Sequence, residues 1–284
     1  MERKNLALLC AGVLCFWLFA LAFGSAQGAG LRAVKTEAPA QAAAADVPAA
    51  QTAAPADSLS LPCRAAVLIE PASGRVLYEK NADERVPIAS ITKLMTLLLT
   101  FEAVHGGKLT LDTPVPVSEH AYHMGGSQIW LEPGEQFTLD EMLRAICVSS
   151  ANDAAVAVAE LVGGSEPVFV EQMNARAAEL GMTATHFCNP TGLHDPEHVS
   201  TVRDMARLTE AALQNETFRK LFTTERYTVP ATNCHPQGVT MHSTLLSQLD
   251  GTELHRGRIL GGKTGYTGEA GLCLASLAEV KGRE

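Results

Sequence analysis

Ser90 and Lys93 lie three residues apart in residues 87–95, a stretch typical of the start of a buried helix. On a helix, this spacing places both side chains on one face. A serine hydroxyl is a weak nucleophile at neutral pH unless a base takes its proton. A buried lysine near positive charge can lose its own proton and act as that base. The pair suggests nucleophilic catalysis, although so short a pattern is more often a surface serine and a solvated lysine.

Two later motifs carry related side chains. Ser150-Ala151-Asn152 precedes an alanine-rich helix, and Lys263-Thr264-Gly265 ends an apolar run. Alone, the first is usually a turn or helix cap and the second a solvated strand end. Each of the three patterns occurs once, in the order Ser-x-x-Lys, Ser-x-Asn, Lys-Thr-Gly. This ordered set is the signature of penicillin-binding proteins and class A β-lactamases.

Residues 65–278 resemble the low-molecular-weight penicillin-binding proteins, which are serine D-alanyl-D-alanine carboxypeptidases. The similarity includes the sequence around each motif, at residues 88–95, 150–155 and 262–267. The resemblance implies an α+β fold of the serine β-lactamase/transpeptidase type. In that fold, an antiparallel sheet is flanked by helices and joined to an all-helical subregion.

The resemblance also implies roles for the side chains of the first two motifs. Ser90 Oγ would attack the carbonyl carbon between two terminal D-alanines, and Lys93 would take the hydroxyl proton. Ser150 would relay a proton toward the leaving amine. Asn152 would hold Lys93 and the amide of the substrate. Water would then hydrolyse the acyl-enzyme, the intermediate in which β-lactams become trapped.

The third motif supplies substrate-binding residues on the same basis. Lys263 would add positive charge, which favours a neutral Lys93 and attracts an anionic substrate. Thr264 would hydrogen-bond the terminal carboxylate, and Gly265 would complete the motif. The backbone N–H groups of Tyr266 and Ser90 would form the oxyanion hole.

Local patterns predict the elements that position these motifs. Apolar runs at residues 65–69 and 75–79 flank turn residues and predict a hairpin. Thr138 and Glu141 form a capping-box pattern ahead of a helix that leads to Ser150. We expect one antiparallel sheet, formed by the hairpin and two C-terminal strands at residues 258–265 and 270–278. Further helices are predicted at residues 90–104, 154–161, 167–180 and 200–215.

Composition divides the chain into three segments. Residues 1–26 combine a basic start, a long apolar run and small residues, and are predicted to be a cleaved signal peptide, with an uncleaved anchor as the alternative. Residues 27–61 are rich in alanine and proline and predict a flexible linker. Residues 62–284 form the predicted catalytic domain. The resemblance implies a further strand and helix after Glu284, so we expect this domain to be truncated.

Charge and cysteine content exclude other classes. The net charge of −9 gives no electrostatic case for nucleic-acid binding. Five of the seven cysteines lie in the predicted domain without a Cys-x-x-Cys pattern, which argues against structural zinc, and five buried free thiols are the simplest interpretation. His194 and His198 have metal-ligand spacing, but Pro196 interrupts the helix they would need. We therefore expect no metal and no cofactor.

The predicted function is removal of the terminal D-alanine from peptidoglycan stem peptides at the extracytoplasmic face of a bacterial envelope. The expected partners are a pentapeptide ending in D-Ala-D-Ala and β-lactams as covalent inhibitors. Membrane association could use an uncleaved N-terminal segment or a missing C-terminal tail. A D,D-endopeptidase remains the alternative. A non-catalytic wall-binding protein is disfavoured by the intact motifs, and a β-lactamase by the lack of a glutamate in residues 181–195, although Glu197 follows closely.

Two further features bear on substrate fit. The family often has Asn-Thr-Asn-x-Leu-Leu before the Lys-Thr-Gly strand, whereas this chain has Met-His-Ser-Thr-Leu-Leu at residues 241–246. This departure affects the expected loop structure and substrate fit, and leaves the nucleophile unaffected. Trp130 is interpreted as a packing residue rather than a platform for substrate.

Overall fold

The structure begins with the predicted hairpin. The computed structural model describes residues 59–249 and 257–280. Strand β1 (Ala66–Glu70) pairs antiparallel with β2 (Arg75–Lys80) across a turn in which Gly74 has a φ of +66°. The predicted signal peptide and residues 27–58 of the predicted linker lie outside the described residues. Within the described ranges, none of the helices is long and apolar enough to cross a bilayer.

A central helix forms the core of the fold. A 3-10 turn (Ala89–Thr92) runs directly into α1 (Lys93–His105), in which Leu94, Met95 and Leu97 are fully buried. This burial on all sides explains why α1 shows little amphipathic pattern in its sequence. Helix α1 packs against most of the other helices, which follow it along the chain. These are α2 (Glu119–Tyr122), α3 (Leu139–Val148), α4 (Asn152–Gly163), α5 (Glu166–Glu179), α6 (Val202–Leu213) and α7 (Glu216–Phe222).

Helix α3 begins at the predicted capping box. The Thr138 hydroxyl accepts from the Glu141 N–H, and the Glu141 carboxylate accepts from the Thr138 N–H at 2.8 Å. These bonds satisfy two backbone donors that the first turn would otherwise leave unpaired. Helix α3 ends at Val148, so its fixed start also sets the position of the Ser-x-Asn motif that follows.

The strands confirm the α+β class but differ from the predicted single sheet. The described strands form four separate antiparallel pairs, so the N-terminal and C-terminal hairpins do not hydrogen-bond to each other. Helix α6 contacts both β1 and the C-terminal strand β8 (Gly271–Val280). Both hairpins therefore pack against the same helix, but no hydrogen-bonded strand pairing joins them. Such pairing would require strands about 4.8 Å apart. Besides β1–β2, the pairs are β3 (Pro114–Val115) with β4 (Phe137–Thr138), β5 (Arg226–Val229) with β6 (Val239–His242), and β7 (Gly257–Thr267) with β8 (Gly271–Val280).

The five cysteines among the described residues are free thiols. Cys147 is buried near the end of α3, and burial raises its pKa to about 12. The prediction that all five are buried is wrong, because Cys63 is exposed and the other three are partly exposed.

Candidate active site

Ser90 and Lys93 lie where the 3-10 turn meets α1. Ser90 is partly buried in the turn, and Lys93 is fully buried as the first residue of the helix. The Lys93 Nζ atom lies 2.9 Å from the Ser90 Oγ atom, within hydrogen-bond distance. The predicted proximity of the two side chains is therefore observed, and the lysine amine lies in direct contact with the serine hydroxyl.

Lys93 contacts three oxygen atoms. Besides Ser90 Oγ, Nζ donates to Asn152 Oδ1 at 2.6 Å and to the Thr191 carbonyl at 2.7 Å. Burial lowers the pKa of Lys93 well below its ordinary value, and the nearby Lys263 charge lowers it further, against the opposing charge of Asp153. A neutral amine has two N–H groups and one lone pair. In the neutral form, with both N–H groups directed at Asn152 and Thr191, the lone pair would point toward Ser90.

Lys263 joins the third motif to the second. Nζ donates to Ser150 Oγ and to the Thr264 carbonyl, both at 2.7 Å. Lys263 is fully buried on β7, and burial lowers its pKa to about 8. Residues that are 113 positions apart are therefore in direct contact. Ser150 is thereby placed beside a lysine that is still charged near neutral pH.

Asn152 ties α4 to the loop before it. Its side chain donates to the Gly125 carbonyl at 2.6 Å, and its backbone N–H donates to the Ser127 carbonyl at 2.7 Å. These bonds fix the amide so that its oxygen faces Lys93. Asn152 is nearly fully buried, so this orientation is shielded from competing water.

The remaining predicted residues lie along β7. Thr264 Oγ1 donates to Thr244 Oγ1 at 2.6 Å, which connects the strand to residues 241–246. A Cβ atom on Gly265 would lie 2.9 Å from the Ser90 N atom. Glycine therefore permits β7 to pass beside the 3-10 turn that carries Ser90, called the serine turn below. The Tyr266 side chain is exposed. The oxyanion hole formed by the N–H groups of Ser90 and Tyr266 stays a prediction.

One part of the site was missed from the sequence. The turn at residues 189–193 supplies the Thr191 carbonyl that faces Lys93. Asn189 Oδ1 accepts from the Thr191 N–H, the Thr191 hydroxyl and the Gly192 N–H at 2.8 to 3.1 Å, which shapes this turn. The Asn-Pro-x-Gly pattern could have marked the turn, but a backbone carbonyl leaves no signal in the residue types.

His198 connects the 3-10 turn to the segment that precedes the 189–193 turn, and it is not arranged as a metal ligand. Its Nδ1 accepts from the Cys188 N–H at 3.1 Å, so Nε2 carries the proton and donates to Thr92 Oγ1 at 2.7 Å. Burial lowers the pKa of His198 to about 4. Among residues 59–249 and 257–280, no cluster of three or more His, Cys, Asp or Glu side chains could hold a metal ion.

Known proteins share this sequence and fold. A family model described as D-alanyl-D-alanine carboxypeptidase (peptidase S11) matches residues 49–284. The chain is 43% identical over 221 residues to the D-alanyl-D-alanine carboxypeptidase DacF of Bacillus subtilis, covering 78% of this chain and 55% of that protein. It is 36% identical to the D-alanyl-D-alanine endopeptidase of Pseudomonas aeruginosa, over 74% of this chain and 65% of that protein.

A solved structure agrees with the fold. The D-alanyl-D-alanine carboxypeptidase DacD of Francisella tularensis superimposes with a TM-score of 0.71 at 28% identity, covering 79% of this chain and 64% of that one. The fold and the three converging motifs define a penicillin-binding protein of the D,D-peptidase class. More narrowly, the chain belongs to the D-alanyl-D-alanine carboxypeptidase family of peptidases. It spans less than two thirds of the length of either curated relative.

Proposed function

We propose that this chain is a serine D,D-carboxypeptidase that removes the terminal D-alanine from peptidoglycan stem peptides. The observation that carries the proposal is the buried Lys93 amine, 2.9 Å from Ser90 Oγ, with two other acceptors for its N–H groups. A surface lysine would keep its proton and could not activate the hydroxyl. The names of the relatives and the family support the same substrate class.

In the proposed reaction, Ser90 Oγ attacks the carbonyl carbon of the penultimate D-alanine while its proton moves to Lys93. The Ser150 hydroxyl passes its proton to the leaving amine and regains one from the Lys93 ammonium, which becomes neutral again, and Lys263, which bonds Ser150, keeps positive charge beside it. The C–N bond breaks and the terminal D-alanine leaves. Water then adds to the Ser90 ester, giving up a proton to the neutral Lys93 amine. The ester C–O bond breaks, Lys93 returns that proton to Ser90 Oγ, and the shortened peptide is released.

Substrate binding is proposed for the rest of the motif residues. The Thr264 hydroxyl would turn from Thr244 to the terminal carboxylate, and Lys263 would attract that negative charge. Asn152 would hold the substrate amide, and Gly265 would allow the peptide to lie along β7. The N–H groups of Ser90 and Tyr266 would stabilise the oxyanion. The chain would act outside the cytoplasm, after export directed by residues 1–26.

A D,D-endopeptidase that cuts cross-linked stem peptides is the second candidate. The observation that favours it is the Pseudomonas aeruginosa relative, which is named as an endopeptidase and matches 74% of this chain. Both reactions use the same acyl-enzyme and differ in the leaving group. Release of free D-alanine from a pentapeptide indicates the carboxypeptidase, and cleavage of a cross-linked dimer indicates the endopeptidase.

The acyl-enzyme provides the direct test. We expect intact-mass measurement of the full chain with benzylpenicillin to show one covalent adduct per molecule. Ser90→Ala should remove the adduct because it removes the attacking oxygen. Ser165→Ala, at a serine whose side chain makes no capping bond, should retain it. Folded protein without an adduct, or an adduct that persists in Ser90→Ala, would overturn the proposal.

The two lysines predict a bell-shaped pH dependence of acylation. Lys93 must be neutral, so the rate rises as the pH increases through its depressed pKa, which burial and the Lys263 charge set. Lys263 must stay charged, so the rate falls above its pKa of about 8. The measurement is the rate of penicillin adduct formation between about pH 5 and 10. A rate that keeps rising past about pH 9 would show that the Lys263 charge is not needed.

A further inference from the structure

Backbone strain among the described residues concentrates at the candidate site. Five of the described residues other than glycine have a positive φ; two lie within or next to the candidate-site motifs, and a third lies in the loop that Asn152 bonds. Ala89, at +47°, precedes Ser90, and Ser150, at +60°, bonds Lys263. The third is Trp130, at +64°. Such conformations cost about 1–3 kcal/mol each and persist where the surroundings enforce them, often for function.

The loop that carries Trp130, residues 125–131, is fastened at both ends to the first turn of α4. Near its start, Asn152 bonds the carbonyl groups of Gly125 and Ser127. At its other end, the backbone N–H groups of Ile129 and Leu131 each donate to Asp153 Oδ2 at 3.1 Å. The residue that holds Lys93 and the residue that holds the tryptophan are therefore adjacent in sequence.

Asp153 is a fully buried carboxylate whose bonds fix the shape of this loop. It also accepts from the Ala154 N–H at 2.9 Å. Burial raises its pKa, against the backbone N–H groups of Leu131, Ala154, Ile129 and Trp130, which favour the charged form. A buried carboxylate is costly unless it is hydrogen-bonded, so the 125–131 loop and Asp153 stabilise each other.

The loop turns the indole outward. Ile129 and Leu131 are 5% and 1% exposed, whereas Trp130 between them is 69% exposed. The interpretation of Trp130 as a packing residue is therefore wrong. The buried side chains of Ile129 and Leu131 and the strained backbone between them hold the Trp130 indole in solvent. Packing of the core does not require a large aromatic side chain in that position.

We infer that Trp130 is a specificity-determining residue that contacts the stem peptide on the acyl side of the scissile bond. The inference rests on the proposed function. If Thr264 binds the terminal carboxylate and Asn152 the substrate amide, the peptide crosses Ser90 in the direction of Asn152. Asn152 is bonded to the 125–131 loop. The residue before D-Ala-D-Ala therefore reaches the exposed indole, whose face suits the aliphatic part of a long side chain.

Two substrates that differ in this residue test the inference in the full chain. The probes are acetyl-D-Ala-D-Ala and diacetyl-L-Lys-D-Ala-D-Ala. Trp130→Ala should lower the tripeptide-to-dipeptide ratio of kcat/KM about tenfold, and Trp130→Phe should restore most of it. Leu272→Ala, at a leucine that is 91% exposed on β8, is the matched control and should leave the ratio unchanged. An unchanged ratio in Trp130→Ala overturns the inference, and an equal loss on both substrates assigns Trp130 a structural role.

A binding measurement separates this inference from the proposed reaction. The chain has two tryptophans, so Trp17→Phe leaves Trp130 as the sole indole fluorophore. In this variant with Ser90→Ala added, the tripeptide should give a saturable change in emission at lower concentration than the dipeptide. No change with the tripeptide overturns the inference, even if wild-type protein forms the penicillin adduct. A change without an adduct in wild-type protein would keep the contact and reject the reaction.

Discussion

Lys93→Met should lower the rate of penicillin acylation by about 10³-fold, the middle of the range for loss of a general base. Methionine nearly fills the volume of lysine and suits a fully buried position. It cannot take the Ser90 proton, and it leaves the oxygens of Asn152 and Thr191 without their donor. The measurement is the rate of adduct formation by intact mass, on protein whose folding is verified by circular dichroism.

Lys93→Arg separates the base from the charge. Arginine keeps the positive charge but holds its proton at any accessible pH, so it cannot act as a base. We expect it to be as slow as Lys93→Met. Lys108→Met, at an exposed lysine after α1, should acylate at the wild-type rate. Rapid acylation by Lys93→Arg would show that Lys93 contributes positive charge alone, and the proposed mechanism would be wrong.

Features set by neighbouring residues were predicted well from the sequence. The Ser90–Lys93 contact follows from a spacing of three on one helix, and the Thr138–Glu141 capping box follows from a pattern of four residues. In each case the partners are fixed by local geometry, because one turn of helix brings them together. The bounds of the predicted helices agree with the structure to within a few residues for the same reason.

Features that depend on distant residues required the family resemblance or were missed. Nothing in local pattern places Lys263 against Ser150, since that contact joins β7 to the end of α3. The single predicted sheet failed because strand pairing depends on where the helices hold each hairpin, and α6 supports both hairpins without joining them. A family resemblance can predict a contact between distant motifs, such as that of Lys263 with Ser150. The register and pairing of the strands must be observed in the structure.

Trp130 and Thr191 show two further limits of prediction from the sequence. An isolated large aromatic residue is usually buried, and its exposure here depends on Asp153, which is distant in sequence and fixes the loop backbone. Thr191 contributes its carbonyl, a group that every residue has, so its identity carries no signal of the role. Gly192, which follows Thr191, does carry a sequence signal, because its positive φ and its closeness to Ala89 and Ser90 exclude a side chain.

Gly192→Ala should abolish rapid acylation and destabilise the fold, although it adds one methyl group. Gly192 has a φ of +82°, and a Cβ atom there would lie 1.9 Å from the Ala89 carbonyl oxygen and 2.9 Å from the Ser90 N atom. The first distance is far inside van der Waals contact, so the 189–193 turn must move away from the serine turn by more than about 1 Å. That movement withdraws the Thr191 carbonyl from Lys93. A displacement of this size costs about 10²-fold in rate.

Gly134→Ala is a matched control, because Gly134 has the same φ of +82° and no atom within 4 Å of its would-be Cβ. Both variants bear the cost of a left-handed alanine, about 1–2 kcal/mol, so their difference reports the clash alone. We expect urea unfolding to place Gly192→Ala about 2–4 kcal/mol below Gly134→Ala, as for other severe overpacking, with slow acylation in Gly192→Ala alone. Equal stability and equal rates in the two variants would show that the turn yields without disturbing Lys93. Thr191 would then have no part in orienting the base, and the directed lone pair would depend on Asn152.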